Sequence, residues 1–320
     1  MKTLLSILSI VGIVIGAGFL SGKEIFAFYT RFGEWSIFAI ILSFFIFWFL
    51  FNFLLNFDRK SKRNSKFFII LSLIITIIFT SAMFAGVNNL IYYDNKIITF
   101  GLFGIVLVLC YLIFKNGLGI LTKINFICLP IIIVVIILFF VILFRPGVNI
   151  KRVDFDGLAF LYASFYCILN IANGSYLLIN LGSQLSKKQK ARVSFLSALV
   201  LALLLLTVNI ILLQNPQSFL SEMPVLYLCE GAFKPVMKFV MLLGALTSLL
   251  SLIYTSSSLL KGLCKNSYLT FFLCVIFPCL TSLVGFSVII TYIYPSASAL
   301  GIFLMGELFL EKHKQRRFKT

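Results

Sequence analysis

Acidic residues are scarce in this chain: ten Asp and Glu stand against 27 Lys and Arg in 320 residues, and the single histidine, His313, lies in the C-terminal tail. No paired carboxylates, metal-ligating cluster or activated nucleophile can be assembled from so few groups, which argues against an enzyme. Seven cysteines (Cys110, Cys128, Cys167, Cys229, Cys264, Cys274, Cys279) form no CxxC pair, so neither a metal site nor a disulfide framework is expected. Charged residues of both signs make up only 12% of positions and hydrophobic residues 61%. A soluble domain could not cover itself with so little polar surface, and the composition therefore describes a polytopic membrane protein.

What the chain does have is long apolar runs. Segments long enough to cross a bilayer fall near 4–31, 34–57, 67–91, 97–114, 119–144, 157–182, 193–213, 234–260, 268–284 and 286–309. The expected fold is all-α, with about ten transmembrane helices in one domain over residues 1–320 and a basic cytoplasmic tail at 311–320. The net charge of +17 would suggest nucleic acid as the partner of a soluble chain. Here the basic residues sit mainly in short loops, so topology explains them: with the N-terminus inside, 19 of the 27 fall on the inner side. Both termini are then cytoplasmic, in the cell membrane, with lipid as neighbour and no nucleic acid as partner. The apolar start could be a cleaved secretory signal, but the run continues past any plausible cleavage site.

The first apolar segment is interrupted by Gly16-Ala17-Gly18-Phe19-Leu20-Ser21-Gly22-Lys23-Glu24. Backbone at membrane depth must satisfy its own N–H and C=O groups, so unwound peptide survives only where it lines an enclosed or water-filled site. The sixth segment carries Asn170-Ile171-Ala172-Asn173-Gly174-Ser175 at its middle. With five segments per half, approximately 4–150 and 151–310, the two halves enter the membrane from opposite sides. The expectation is an inverted repeat with discontinuous helices 1 and 6 around a midplane site. The competing reading is that the glycines, at small-xxx-small spacing, only let helices pack closely.

The stretch from Ile15 to Glu24, followed by Phe32-Gly33, resembles the "GAGFxSGxE…FG" opening of the bacterial YkvI-type membrane proteins. Those are similar to the amino acid, polyamine and organocation (APC) transporters of LeuT-like five-plus-five fold. Gly244-Ala245-Leu246-Thr247-Ser248 and Tyr294-Pro295 add to the resemblance, and Lys23 departs from it where glutamine is expected. The resemblance implies a secondary transporter of an amino acid or related small amine. A different class, a non-transporting nutrient receptor subunit similar to those of spore germination, would need the same pocket.

Half-helix ends at a break offer N–H donors on one side and carbonyls on the other, a pair suited to a zwitterion. The expected substrate-binding residues are Gly16, Ala17, Gly18, Phe19, Ser21, Gly22 and Glu24 of the first segment and Tyr166, Asn170, Asn173 and Gly174 of the sixth. For Na⁺ as coupling ion, the candidates are carbonyls at Ile15 and Gly18 with the hydroxyls of Thr247 and Ser248. In LeuT-like transporters driven by a Na⁺ gradient, a hydroxyl pair on segment eight has this role. Thr80-Ser81 repeats the pair on segment three, a candidate second cation site. The bland alternative for all four hydroxyls is bonding to the preceding helical turn. The resemblance favours Na⁺ over H⁺, because no charged residue lies in the middle of segment five, where some proton-coupled relatives place a lysine, and no transition metal or organic cofactor is expected. Lys23 either fills the space of a coupling cation or reaches outward to water.

Overall fold

The computed structural model describes residues 2–57, 66–91, 96–116, 118–146, 154–260 and 266–317, and every element among them is helical. The chain opens with three short helices, α1 (Lys2–Val14), α2 (Ala17–Ser21) and α3 (Lys23–Phe28). There follow α4 (Trp35–Leu55), α5 (Lys66–Ile91), α6 (Lys96–Asn116), α7 (Leu118–Leu143), α8 (Leu158–Gly182) and α9 (Lys187–Gln214). After the short α10 (Pro224–Tyr227) come α11 (Phe233–Leu260), α12 (Ser267–Val284) and α13 (Phe286–His313).

Eight of these are long and apolar enough to cross a membrane: α4, α5, the Phe126–Leu143 part of α7, α8, α9, α11, α12 and α13. Two shorter apolar stretches, Lys2–Val14 and Phe103–Leu112, fall in the first and fourth of the expected segments. The outward faces are as apolar as the inward ones. Along α4, Ala39, Ile40, Ser43, Phe47, Leu50 and Leu54 are buried, while Phe38, Ile41, Phe45 and Phe49 on the opposite side are more than half exposed. A helix apolar all round whose outer face carries bare phenylalanines needs lipid rather than water beside it. The basic residues at 59, 60, 62, 63, 151, 152, 261, 265 and 319 lie outside the described residues.

The first segment runs through the centre of the molecule, in contact with α5, α7, α8, α9 and α11. It is broken twice. The α1 ladder ends when Ile15 N–H meets the Val11 carbonyl, Gly16 is extended, and α2 restarts with Leu20 N–H on the Gly16 carbonyl. Gly22, at φ +77°, then turns the chain from α2 into α3, a left-handed conformation that glycine adopts without steric cost.

The sixth segment corrects the sequence expectation: α8 is one unbroken helix from Leu158 to Gly182. Its polar residues bond within the helix instead of interrupting it. Asn170 Nδ2 donates to the Tyr166 carbonyl at 3.0 Å and Ser175 Oγ to the Ala172 carbonyl at 2.8 Å. Such back-bonding lets asparagine and serine sit in a buried helix without unwinding it. Distortion appears later in the chain, where wide π-helical turns at Phe272–Ile276 and Ile289–Ile293 each precede a proline, Pro278 and Pro295. Proline lacks the N–H that would continue the α ladder, and the turn before it widens.

Candidate functional site

The break faces a cavity of about 30 Å³ enclosed by α1, α5, α8 and α11. Gly12, Ile13, Val14 and Gly16 form one wall, Phe79 and Met83 of α5 the next, Asn173, Gly174 and Leu177 of α8 the third, and Ser248, Ser251, Leu252 and Thr255 of α11 the fourth. Glu24, from the far side of the break, closes the end. The volume leaves room for at least one water-sized species.

Close packing positions these walls, and glycine makes it possible. A Cβ on Gly174 would stand 2.6 Å from Ile13 Cγ2, and one on Gly16 2.9 Å from Met83 Cε. A Cβ on Gly18 would overlap the Glu24 carboxylate, which folds back into the space that the missing side chain leaves. The two readings of the glycines are therefore compatible, since close packing is what brings the break to α5 and α8.

The predicted cation pair separates. Ser248 Oγ donates to the Ile15 carbonyl at 2.9 Å, tying the break to α11 as expected, whereas Thr247 Oγ1 turns to the Gly244 carbonyl of its own helix at 3.0 Å. The Gly18 carbonyl accepts from Ser21 Oγ at 2.9 Å instead of facing the cavity. Thr80 Oγ1 bonds to the Thr76 carbonyl and Ser81 Oγ to the Ile77 carbonyl, and Ser81 also meets Thr281 Oγ1 at 2.6 Å. That pair engages its own helix and α12 rather than α8.

Of the expected substrate residues, Gly16, Glu24, Asn173 and Gly174 line the cavity. The Ala17 N–H is taken by Met83 Sδ at 3.3 Å, and Phe19 is buried away from the cavity. Gly22 packs against Val225, in the connection that covers this end of the segment. Tyr166 joins an aromatic cluster with Phe28 and Tyr29, ring centroids 5.4 and 5.3 Å away. Its hydroxyl lies beside Glu24 but reaches no hydrogen bond of good geometry. Asn170 sits one turn from Asn173, outside the lining.

Lys23 points away. Its Nζ donates to the Ser221 carbonyl at 3.2 Å, near Glu222, whose Oε2 accepts from Asn89 Nδ2 at 2.6 Å. The ammonium thus fastens the 216–227 connection over the C-terminal end of the first segment and stays out of the cavity.

Sequence reasoning missed Met83, Phe79, Ser251 and Thr255. Spacing alone offered a signal: Ser248, Ser251, Leu252 and Thr255 recur at three, four and seven positions, one face of a helix, as do Phe79 and Met83.

Fold and site together define a polytopic helical membrane protein with a mainly apolar cavity that carries a few polar groups at a broken helix. No family model of known proteins matches the chain and no curated protein matches it, so the likeness to YkvI-type proteins rests on the residues quoted above alone.

Proposed function

We propose that this chain is a secondary active transporter of an amino acid or related small amine, coupled to a cation and working by alternating access around the cavity at Ile15–Gly16. The observation that carries the reading is the double break of α1–α3, opposite a wall with buried polar side chains, in a molecule whose outer faces suit lipid. Irregular backbone of this kind is tolerated at membrane depth where it lines a site. The cavity's small volume fits a closed state between two open ones, entry of a solute requiring the first segment to move against α5, α8 and α11. The five-plus-five repeat belongs to the proposal, in a modified form: the second half contributes Asn173 and Gly174 as side-chain and packing groups, not unwound backbone. Na⁺ remains the first coupling ion to test, with Ser248 and the Ile15 carbonyl as its ligands, and H⁺ the second.

Uptake by proteoliposomes containing the purified chain tests this. Amino acids and small amines are supplied outside with an inward Na⁺ gradient, an inward proton gradient, or neither. Gradient-dependent accumulation of one class is expected. Saturable binding with no accumulation under any gradient would remove the transport reading and favour the receptor.

A further inference from the structure

The hydroxyls on the cavity wall present lone pairs. The hydroxyls of Ser248 and Thr255 spend their hydrogens on the carbonyls of Ile15 and Ser251 at 2.9 Å each, so they turn oxygen lone pairs to the cavity. Asn173 Oδ1 is buried without a hydrogen-bond partner, as is Asn170 Oδ1 one turn away. The last carbonyls of α1, beyond the final ladder bond at Ile15, form the negative end of that helix. Glu24 is 1% exposed and its Oε2 has no partner.

No cation of the protein offsets that carboxylate among the described residues. Tyr29, Tyr166 and Tyr294 are the titratable groups that share its surroundings. Lys23 is held by Ser221, and the Arg31 guanidinium stacks on Tyr162 at 4.0 Å. A buried carboxylate left without countercharge or full hydrogen bonding is costly, and at membrane depth such a group marks a site. A zwitterion's carboxylate would be set against the Glu24 carboxyl and the hydroxyl lone pairs of Ser248 and Thr255.

We infer that Glu24 and Asn173 make this cavity a seat for one small positive charge, either Na⁺ or the ammonium group of the transported solute. The inference rests on the site of the transport reading and assigns Glu24 as the countercharge that selects solutes carrying an excess positive group. Gly18 is part of the device, because only the absence of a Cβ there lets the carboxylate reach the break.

Thermal unfolding of the purified full chain in detergent, at constant ionic strength, tests it. NaCl, ammonium chloride and N-methyl-D-glucamine chloride are compared for the wild type, Glu24→Gln, Glu24→Asp and Asn173→Leu. A ligand that prefers the folded state raises the melting temperature in proportion to the logarithm of its concentration once above Kd. The expected result is a rise that follows the logarithm of the Na⁺ or ammonium concentration, and none with the bulky cation. The rise should be lost in Glu24→Gln, retained at about tenfold weaker affinity in Glu24→Asp, and weakened in Asn173→Leu. A rise with Na⁺ alone assigns the seat to a coupling ion; a rise with ammonium alone assigns it to the solute. No rise in the wild type, or an equal rise in Glu24→Gln, overturns the inference. Should Glu24→Gln not fold, an undiminished response in both Glu24→Asp and Asn173→Leu does the same. Uptake is scored separately: a Glu24-dependent shift without accumulation retains the seat and discards transport, and accumulation without the shift does the reverse.

Discussion

Ser248→Ala and Thr247→Ala are neighbouring substitutions of similar size, and the structure predicts unequal effects. The Ser248 hydroxyl is a donor to the Ile15 carbonyl across 233 residues of sequence, and Ile15 is 1% exposed. Removing it strands a buried acceptor at the break, at a cost of about 1–3 kcal/mol. The adjoining cavity of about 30 Å³ admits a water that restores part of the bond, which sets the expectation at the lower half of that range. Thr247 Oγ1 bonds only to the Gly244 carbonyl in its own helix. That carbonyl keeps its place in the α ladder, so losing the hydroxyl should cost under about 0.5 kcal/mol, the value of a substitution away from any key feature. Unfolding in mixed micelles titrated with SDS, followed by circular dichroism, measures both. Equal destabilisation of the two variants, or a larger effect at Thr247, would refute the assignment of Ser248 as the residue that ties the broken helix to α11.

Three further outcomes follow from the same geometry. Gly18→Ala should destabilise by about 1–3 kcal/mol through overpacking against the Glu24 carboxylate and should abolish the cation-dependent thermal shift, measured in the same melts. Gly22→Ala, at φ +77° with Val225 Cγ2 2.9 Å from the added methyl, should cost about 1–2 kcal/mol in the SDS titration. Lys23→Gln should leave cation affinity within twofold of wild type, since the ammonium engages Ser221 and not the cavity; a large change in a Na⁺ titration would mean that its charge reaches the site.

The break in the first segment was legible because glycines and two adjacent charges in an apolar run have no comfortable helical solution in lipid, and the ladder does stop at Ile15. The same reasoning overreached at Asn170–Ser175. Short polar side chains return their hydrogen bonds to the preceding turn, and a string of letters does not say whether they will do so or open the helix. The hydroxyl pairs show the same ambiguity: Thr247, Thr80 and Ser81 took the local bond, and Ser248 took the distant one. Met83 illustrates the opposite failure, since a methionine in an apolar helix carries no mark of becoming the acceptor for the Ala17 amide.

By itself the amino-acid order determined the membrane environment, the helical class and the location of the break, because these follow from hydropathy and backbone hydrogen bonding, which are properties of contiguous residues. Which groups share the cavity was decided only in three dimensions. Glu24 reaches it by folding back over Gly18, Lys23 leaves it for Ser221, and Ser248 meets Ile15 from the other end of the chain. The direction of each side chain depends on the packing of α5, α8 and α11 around the first segment, and that packing brings together residues whose separation along the chain carries no record of their contact.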